Sequence, residues 1–238
     1  MGVANHWTEI WMYSLRTQMN CLFTLNIKNK QGWNAPFIGD NVRKTYISAC
    51  HRWGCNYAEI NHEPGHSDLA ICNWGKLYGP RFLIGYEILL YLDGDMKISE
   101  HAPSPFDLCV EPDVMYAVTD AQGDNPNEMW EGSIYSGGIE KIFERFPDFK
   151  QPTKERYFNT GFMLFRNTQG IRDIFDSILQ NRDLESPTCY DQTVINMFVH
   201  NRMKVEILPN TWNYTVWNRE PDPEAYINHY LHAGPSLG

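Results

Sequence analysis

Two periodicities alternate along the chain. The clearest segment, Glu87–Leu92 (EILLYL), is apolar at every position after its first, as expected of a strand covered on both faces. Shorter runs of the same kind occupy Cys21–Ile27, Tyr57–Ile60, Val114–Thr119, Phe162–Arg166 and Val205–Leu208. Helical spacing appears between them. Asp40 is suited to an N-cap, Val42, Tyr46, Ala49 and Trp53 follow on one face, and Gly54 supplies a stop. Ile139, Ile142, Phe143 and Phe146 mark a second helix, and Ile171, Ile174, Phe175, Ile178 and Leu179 a third. A fourth runs from about Pro187 to His200, with Val194, Ile195 and Phe198 on its buried side. Strands alternating with helices predict an α/β protein whose mostly parallel central sheet is flanked by helices. Ligands of such sheets lie beyond the carboxyl ends of the strands. Residues 1–19 carry aromatics without a period and receive no element.

Length and charge narrow this picture. At 238 residues the chain fits one large α/β domain at least as well as two small ones, and one is expected. Its net charge of −9, without a Lys/Arg stripe, excludes nucleic acid as a natural partner. A small phosphorylated ligand is compatible with that charge if a metal, a helix N-terminus or a few placed cations supply positive potential locally. The cysteines at 21, 50, 55, 72, 109 and 189 contain no C-x-x-C pair, so neither a zinc framework nor a disulfide scaffold is indicated, and reduced thiols are expected. No basic segment precedes an apolar stretch at the N-terminus, and no apolar run approaches about 18 residues. No membrane anchor and a cytoplasmic location are the resulting expectation.

Asp93-Gly94-Asp95 follows the EILLYL strand directly. Two carboxylates that close disfavour each other's ionisation unless a cation lies between them. A hard divalent ion such as Mg²⁺ or Mn²⁺ resolves the repulsion, and Gly94 lets the backbone approach a ligand. Such an ion would hold a diphosphate and stabilise the charge that grows on it as a leaving group.

Tyr91-Leu92-Asp93-Gly94-Asp95, then Tyr157-Phe158-Asn159-Thr160-Gly161-Phe162-Met163-Leu164-Phe165, then Tyr190-Asp191-Gln192 followed by Asn196 occur in this order. Together they resemble the marker segments of glycosyltransferases with the A-type (GT-A) fold, especially family 8 and its relatives, over about residues 20–234. The resemblance implies an N-terminal extension at 1–19 and one GT-A domain at 20–238. Its nucleotide-binding half would be about 20–100 and its acceptor and sugar half about 101–238. It implies a metal-dependent hexosyl- or pentosyltransferase that uses Mn²⁺ or Mg²⁺. The sugar would move, with retention, from a nucleotide diphosphate donor, UDP-linked, to a glycan or glycoprotein acceptor.

Residue by residue, the resemblance gives Asp93 to the ribose and the metal, and Asp95 to the metal. Thr24, Leu25 and Asn26 would meet the nucleoside, and Glu59 the base or ribose. Lys76 and Arg81 would hold the diphosphate or donor sugar, Asp120 the donor sugar, and Asn159, Asp191 and Gln192 the sugar side of the pocket. The closing His229-Tyr230-Leu231-His232-Ala233-Gly234 resembles the family's His-x-x-Gly segment, with altered spacing and no Lys-Pro-Trp after it. His232 is the expected third metal ligand and His229 the alternative.

Plainer readings compete. Lys76 and Arg81 suit a solvated surface, Asn159-Thr160-Gly161 a turn, and Asp191 the first turn of a helix. A haloacid-dehalogenase-type phosphatase also places Asp-x-Asp after an apolar strand, but needs a later acidic pair for Mg²⁺ that is missing here. A non-catalytic carbohydrate-binding protein would account for the aromatics and leave the paired carboxylates unexplained.

Overall fold

Among the described residues the apolar runs build a seven-stranded sheet, crossed from one edge to the other by the strands that begin at Glu9, Asn56, Asn20, Ile88, Phe158, Val114 and Lys204. The computed structural model describes residues 9–13, 19–27, 38–62, 74–121, 138–184, 191–216 and 220–230. The strands are β1 (Glu9–Tyr13), β2 (Asn20–Ile27), β3 (Asn56–His62), β4 (Ile88–Leu92), β6 (Val114–Thr119), β7 (Phe158–Arg166) and β8 (Lys204–Leu208). Strands β2, β3, β4, β6 and β8 run one way, and β1 and β7 run against them. The sheet is thus mostly parallel, with its antiparallel member β7 between β4 and β6. Glu9–Tyr13, in the stretch that sequence periodicity left without an element, forms the edge strand against β3.

Alternation along the central strands explains why both faces are apolar. Cys21, Phe23, Leu25, Leu89, Tyr91, Met163 and Phe165 belong to one buried cluster, and Leu22, Leu90, Leu92, Phe162 and Leu164 to the other. Helices α2 (Gly79–Phe82), α3 (Gly138–Arg145), α4 (Gln169–Gln180) and α5 (Asp191–Arg202) contribute to the first. Helix α1 (Asp40–Trp53) contributes to the second. Gly39 rather than Asp40 is the N-cap of α1, and Asp40 is its first helical residue, where its charge complements the dipole. Gly54 ends the helix with φ 64°, a left-handed conformation that costs glycine nothing.

The second cluster also packs a small sheet of order β5-β10-β9, made of β5 (Met96–Ile98), β9 (Tyr214–Thr215) and β10 (Ile227–His229). β10 pairs antiparallel with β5, Ile227 against Ile98 and His229 against Met96. This pairing returns the C-terminal part of the chain to the residues just after Asp95. Cys21, Cys50, Cys55 and Cys109 are buried and free. Among the described residues no helix is long and apolar enough to cross a membrane.

Candidate active site

Asp93 and Asp95 stand in the turn between β4 and β5, at the carboxyl end of a central strand. The turn is tied from several sides. The Asp93 N–H donates to the Gly161 carbonyl (2.9 Å), the Tyr230 N–H donates to the Asp95 carbonyl (2.9 Å), and the Tyr46 hydroxyl donates to the Asp93 carbonyl. Tyr91 donates its hydroxyl to Asp93 Oδ1. Burial, with the nearby aspartates adding to it, pushes the Tyr46 and Tyr91 phenols well above their ordinary pKa, so both remain donors. Gly161 is required beneath the motif, because a Cβ there would lie 2.7 Å from Asp93 Oδ2 and 2.8 Å from Met96 Cε.

His229 completes this group. It is buried on β10, and one ligand atom each from Asp93, Asp95 and His229 falls within 4.8 Å of the others. Its Nε2 lies 3.2 Å from Asp95 Oδ1. Among the described residues neither carboxylate has a lysine or arginine within ion-pairing distance, and the contact with His229 is an ion pair only when the ring is protonated. Two carboxylate oxygens and an imidazole nitrogen at this spacing suit one Mn²⁺ or Mg²⁺, whose ligand bonds are about 2.0–2.2 Å. The third ligand expected from sequence, His232, lies outside the described residues, and the histidine beside the aspartates is His229.

The sugar-side residues meet around an irregularity in β7. Ala117 pairs with Met163 and Val118 with Asn159, so Thr160, Gly161 and Phe162 bulge out of the ladder. Two freed main-chain donors orient two side-chain amides. The Gly161 N–H donates to Asn159 Oδ1 (2.9 Å), and the Thr160 N–H donates to Gln192 Oε1 (3.1 Å). The opposite ends of those amides both donate to Asp120, Asn159 Nδ2 to Oδ1 (3.0 Å) and Gln192 Nε2 to Oδ2 (3.1 Å). Burial raises the Asp120 pKa, while both amides and His229 pull it down. Neither amide group offers an acceptor for a carboxyl proton, so the arrangement suits the carboxylate.

Lys76 enters from the turn Gly75–Tyr78 and is buried, as is Asp191 at the start of α5. Its ammonium lies 3.0 Å from Asp191 Oδ2, donates to Thr160 Oγ1 (3.0 Å) and sits 5.4 Å from the centre of the Tyr91 ring. Ammonium and carboxylate at that distance form a buried ion pair. Burial opposes the Lys76 charge, but Asp191, Asp93 and Asp95 outweigh it and lift the lysine pKa. Burial likewise lifts Asp191, against the pull of Lys76. The direction that governs the pair is the lysine's: it stays charged among carboxylates. Asn196 donates to the Phe158 carbonyl and accepts from its N–H, both at 2.8 Å, which locks α5 to the strand carrying the bulge.

Four other residues expected at the site, Thr24, Leu25, Glu59 and Arg81, have the following surroundings. Arg81 is exposed and ion-paired with Asp176 on α4, outside this network. Leu25 is fully buried in the core, beside the equally buried Thr24. Glu59 accepts from Arg43 Nε (2.5 Å) and Nη2 (3.2 Å), Asn26 Nδ2 (2.7 Å) and the Tyr57 hydroxyl (2.8 Å), so both of its oxygens are engaged by the protein. Conversely, Asn213 went unremarked in the sequence. It is fully buried, accepts from His229 Nδ1 and donates to Asn159 Oδ1. An Asn between aromatics carries no periodic signal that would single it out.

Two solved structures share this architecture. One is the crystal structure of a glycosyltransferase involved in the glycosylation of the major capsid of PBCV-1, with a TM-score of 0.57 and 14% identity over 88% of this chain and 93% of that one. The other is the apo structure of the WbbM bifunctional glycosyltransferase, with a TM-score of 0.54 and 13% identity over 91% of this chain and 46% of that one. The fold is therefore that of the A-type glycosyltransferases. No curated protein matches the chain. The model of glycosyl transferase family 8 matches residues 14–233, and the chain belongs to that family. The phosphatase and carbohydrate-binding alternatives give way to it.

Proposed function

We propose that this glycosyltransferase takes its sugar from a UDP-linked donor, holds the diphosphate through a divalent cation at Asp93, Asp95 and His229, and transfers with retention. The observation that carries this reading is the clustering of those three ligand atoms within 4.8 Å at the carboxyl edge of the sheet. The ion would supply charge stabilisation for the departing diphosphate. The rest falls to the chain itself. Asn159 and Gln192, anchored to the bulge, and Asp120 between them offer fixed polar groups to the hydroxyls of a donor sugar. Lys76 supplies a buried positive charge beside the leaving group, and Asp191 keeps that charge in place.

In the reaction the anomeric C–O bond to the diphosphate breaks, one to the acceptor oxygen forms, and the acceptor's proton leaves with a diphosphate oxygen. Asp120 is engaged by two amides and Asp191 faces Lys76, so neither is a free base for attack from the opposite face. This favours retention. The acceptor would be a glycan or glycoprotein.

Thermal unfolding with UDP, with and without Mn²⁺, tests the proposal. Saturating UDP and Mn²⁺ together should stabilise the protein by roughly 2–3 kcal/mol at a hundredfold excess over Kd, and chelator should remove the gain. Equal stabilisation with chelator present would overturn the metal role. The first-formed anomer from UDP-sugar hydrolysis, read by NMR, should match the donor's, and the opposite anomer would overturn retention.

A further inference from the structure

We propose that Asn213 is a positioning residue for the metal centre: its carboxamide holds His229 as the Nδ1–H tautomer, so that Nε2 directs its lone pair at the ion. This rests on the reading of Asp93, Asp95 and His229 as that centre. The assignment follows from a main-chain donor. The Gly161 N–H has one possible polarity, and it points at one end of the Asn159 amide at 2.9 Å, which must therefore be Oδ1. The Asn213 atom 3.0 Å from that oxygen must then be Nδ2. The other end of the Asn213 amide, Oδ1, lies 3.1 Å from His229 Nδ1, which must carry the hydrogen. Asp120 gives the same answer from the far side, since an acceptor-only carboxylate requires Asn159 Nδ2 to face it.

The backbone holds Asn213 where this requires it. The residue closes the turn Asn210–Trp212, its N–H donating to the Asn210 carbonyl (3.0 Å), and leads into β9. β9 runs parallel to β10, with Thr215 opposite His229. Both ring nitrogens of His229 are thereby assigned, Nδ1 to the amide chain and Nε2 to the carboxylate side. A neutral ring oriented this way faces Asp95 Oδ1 lone pair to lone pair at 3.2 Å, an arrangement a shared cation makes favourable.

The tautomer can be read directly. In ¹⁵N–¹H long-range spectra of the wild-type protein with UDP and Zn²⁺ as a diamagnetic stand-in, His229 should show Nδ1–H with the metal on Nε2. A ring that binds the metal through Nδ1, or that carries its hydrogen on Nε2, in that complex would overturn the proposal without any variant having to fold. Asn213→Leu should weaken Mn²⁺ binding about 10- to 100-fold, measured by EPR with UDP present. Asn213→Asp keeps the acceptor for His229 and should hold Mn²⁺ affinity within about threefold of wild type, while losing thermal stability because it turns an oxygen toward Asn159 Oδ1. Unchanged affinity in Asn213→Leu, or equal losses in both variants, would overturn the proposal. Loss of Mn²⁺ affinity in Asp95→Asn with none in Asn213→Leu would overturn this proposal alone, whereas unchanged affinity in Asp95→Asn would overturn the metal reading and this proposal with it.

Discussion

Two carboxylate clusters on the same sheet have opposite characters, one in the middle of β3 and one beyond the carboxyl end of β4. At the β2–β3 end, Glu59 is saturated: Arg43, Asn26 and Tyr57 donate to it, and Arg43 is held in turn by Asp40. At the end of β4, Asp93 and Asp95 face each other and a histidine, with no lysine or arginine paired to them among the described residues. The first cluster is closed, its charges matched by the chain. The second is open, and its imbalance is the kind a ligand corrects. A carboxylate near a binding edge is therefore a weak indicator of function until its acceptors have been accounted for.

The largest expected effect tests the open cluster. Asp95→Asn should lower sugar transfer at least about a thousandfold, the upper scale for removing one preorganised stabiliser of developing charge, and leave the unfolding midpoint within a few degrees. Retained transfer would make the cluster as closed as the other.

Next comes the closed cluster. Glu59→Gln leaves the Arg43 guanidinium, among the described residues, with only the exposed Asp40 as a charge partner and should cost about 1–3 kcal/mol in chemical denaturation, the lower part of the range for breaking a buried pair because Arg43 is partly exposed. Mn²⁺ affinity should not change. A loss of UDP affinity with full stability would move Glu59 back to the ligand.

The smallest effect calibrates pH comparisons between the two. His200, in the last turn of α5, bonds the Arg156 carbonyl (2.8 Å), and burial holds its pKa down to about 4. The folded value lies below the unfolded one, about 6.5, so its stability contribution is full above about pH 6.5 and is lost as pH falls through about 4. The size is roughly 1–2 kcal/mol after screening at a partly exposed position. His200→Gln should flatten the fall in unfolding free energy between those limits, and an unchanged slope would assign it to other groups.

The pattern of the sequence reveals strands where both faces are buried, since period-two alternation then becomes an unbroken run, as at β4 and β6. It carries no strand direction, which is why the reversal of β7 is invisible in it. Lys76, Asp93, Asp120, Asn159 and Gln192 are legible because each sits at the end of an element or within a recognisable motif. The contribution of His229 depends on a pairing between β5 and β10, more than a hundred residues apart in the chain, and on Asn213. Spacing within the last ten residues cannot decide between two histidines when the register that seats one of them is set elsewhere.

The bulge in β7 has a bearing on how such a pocket changes over time. The polarity of Asn159 and Gln192, and through them of Asp120, Asn213 and His229, is set by the peptide N–H groups of Thr160 and Gly161. A peptide N–H is present whatever side chain its residue carries, and only proline removes it. Side chains outside this network can therefore change around it without altering its pattern of donors and acceptors. What evolution must guard is the extra length of strand that frees those two groups from the ladder.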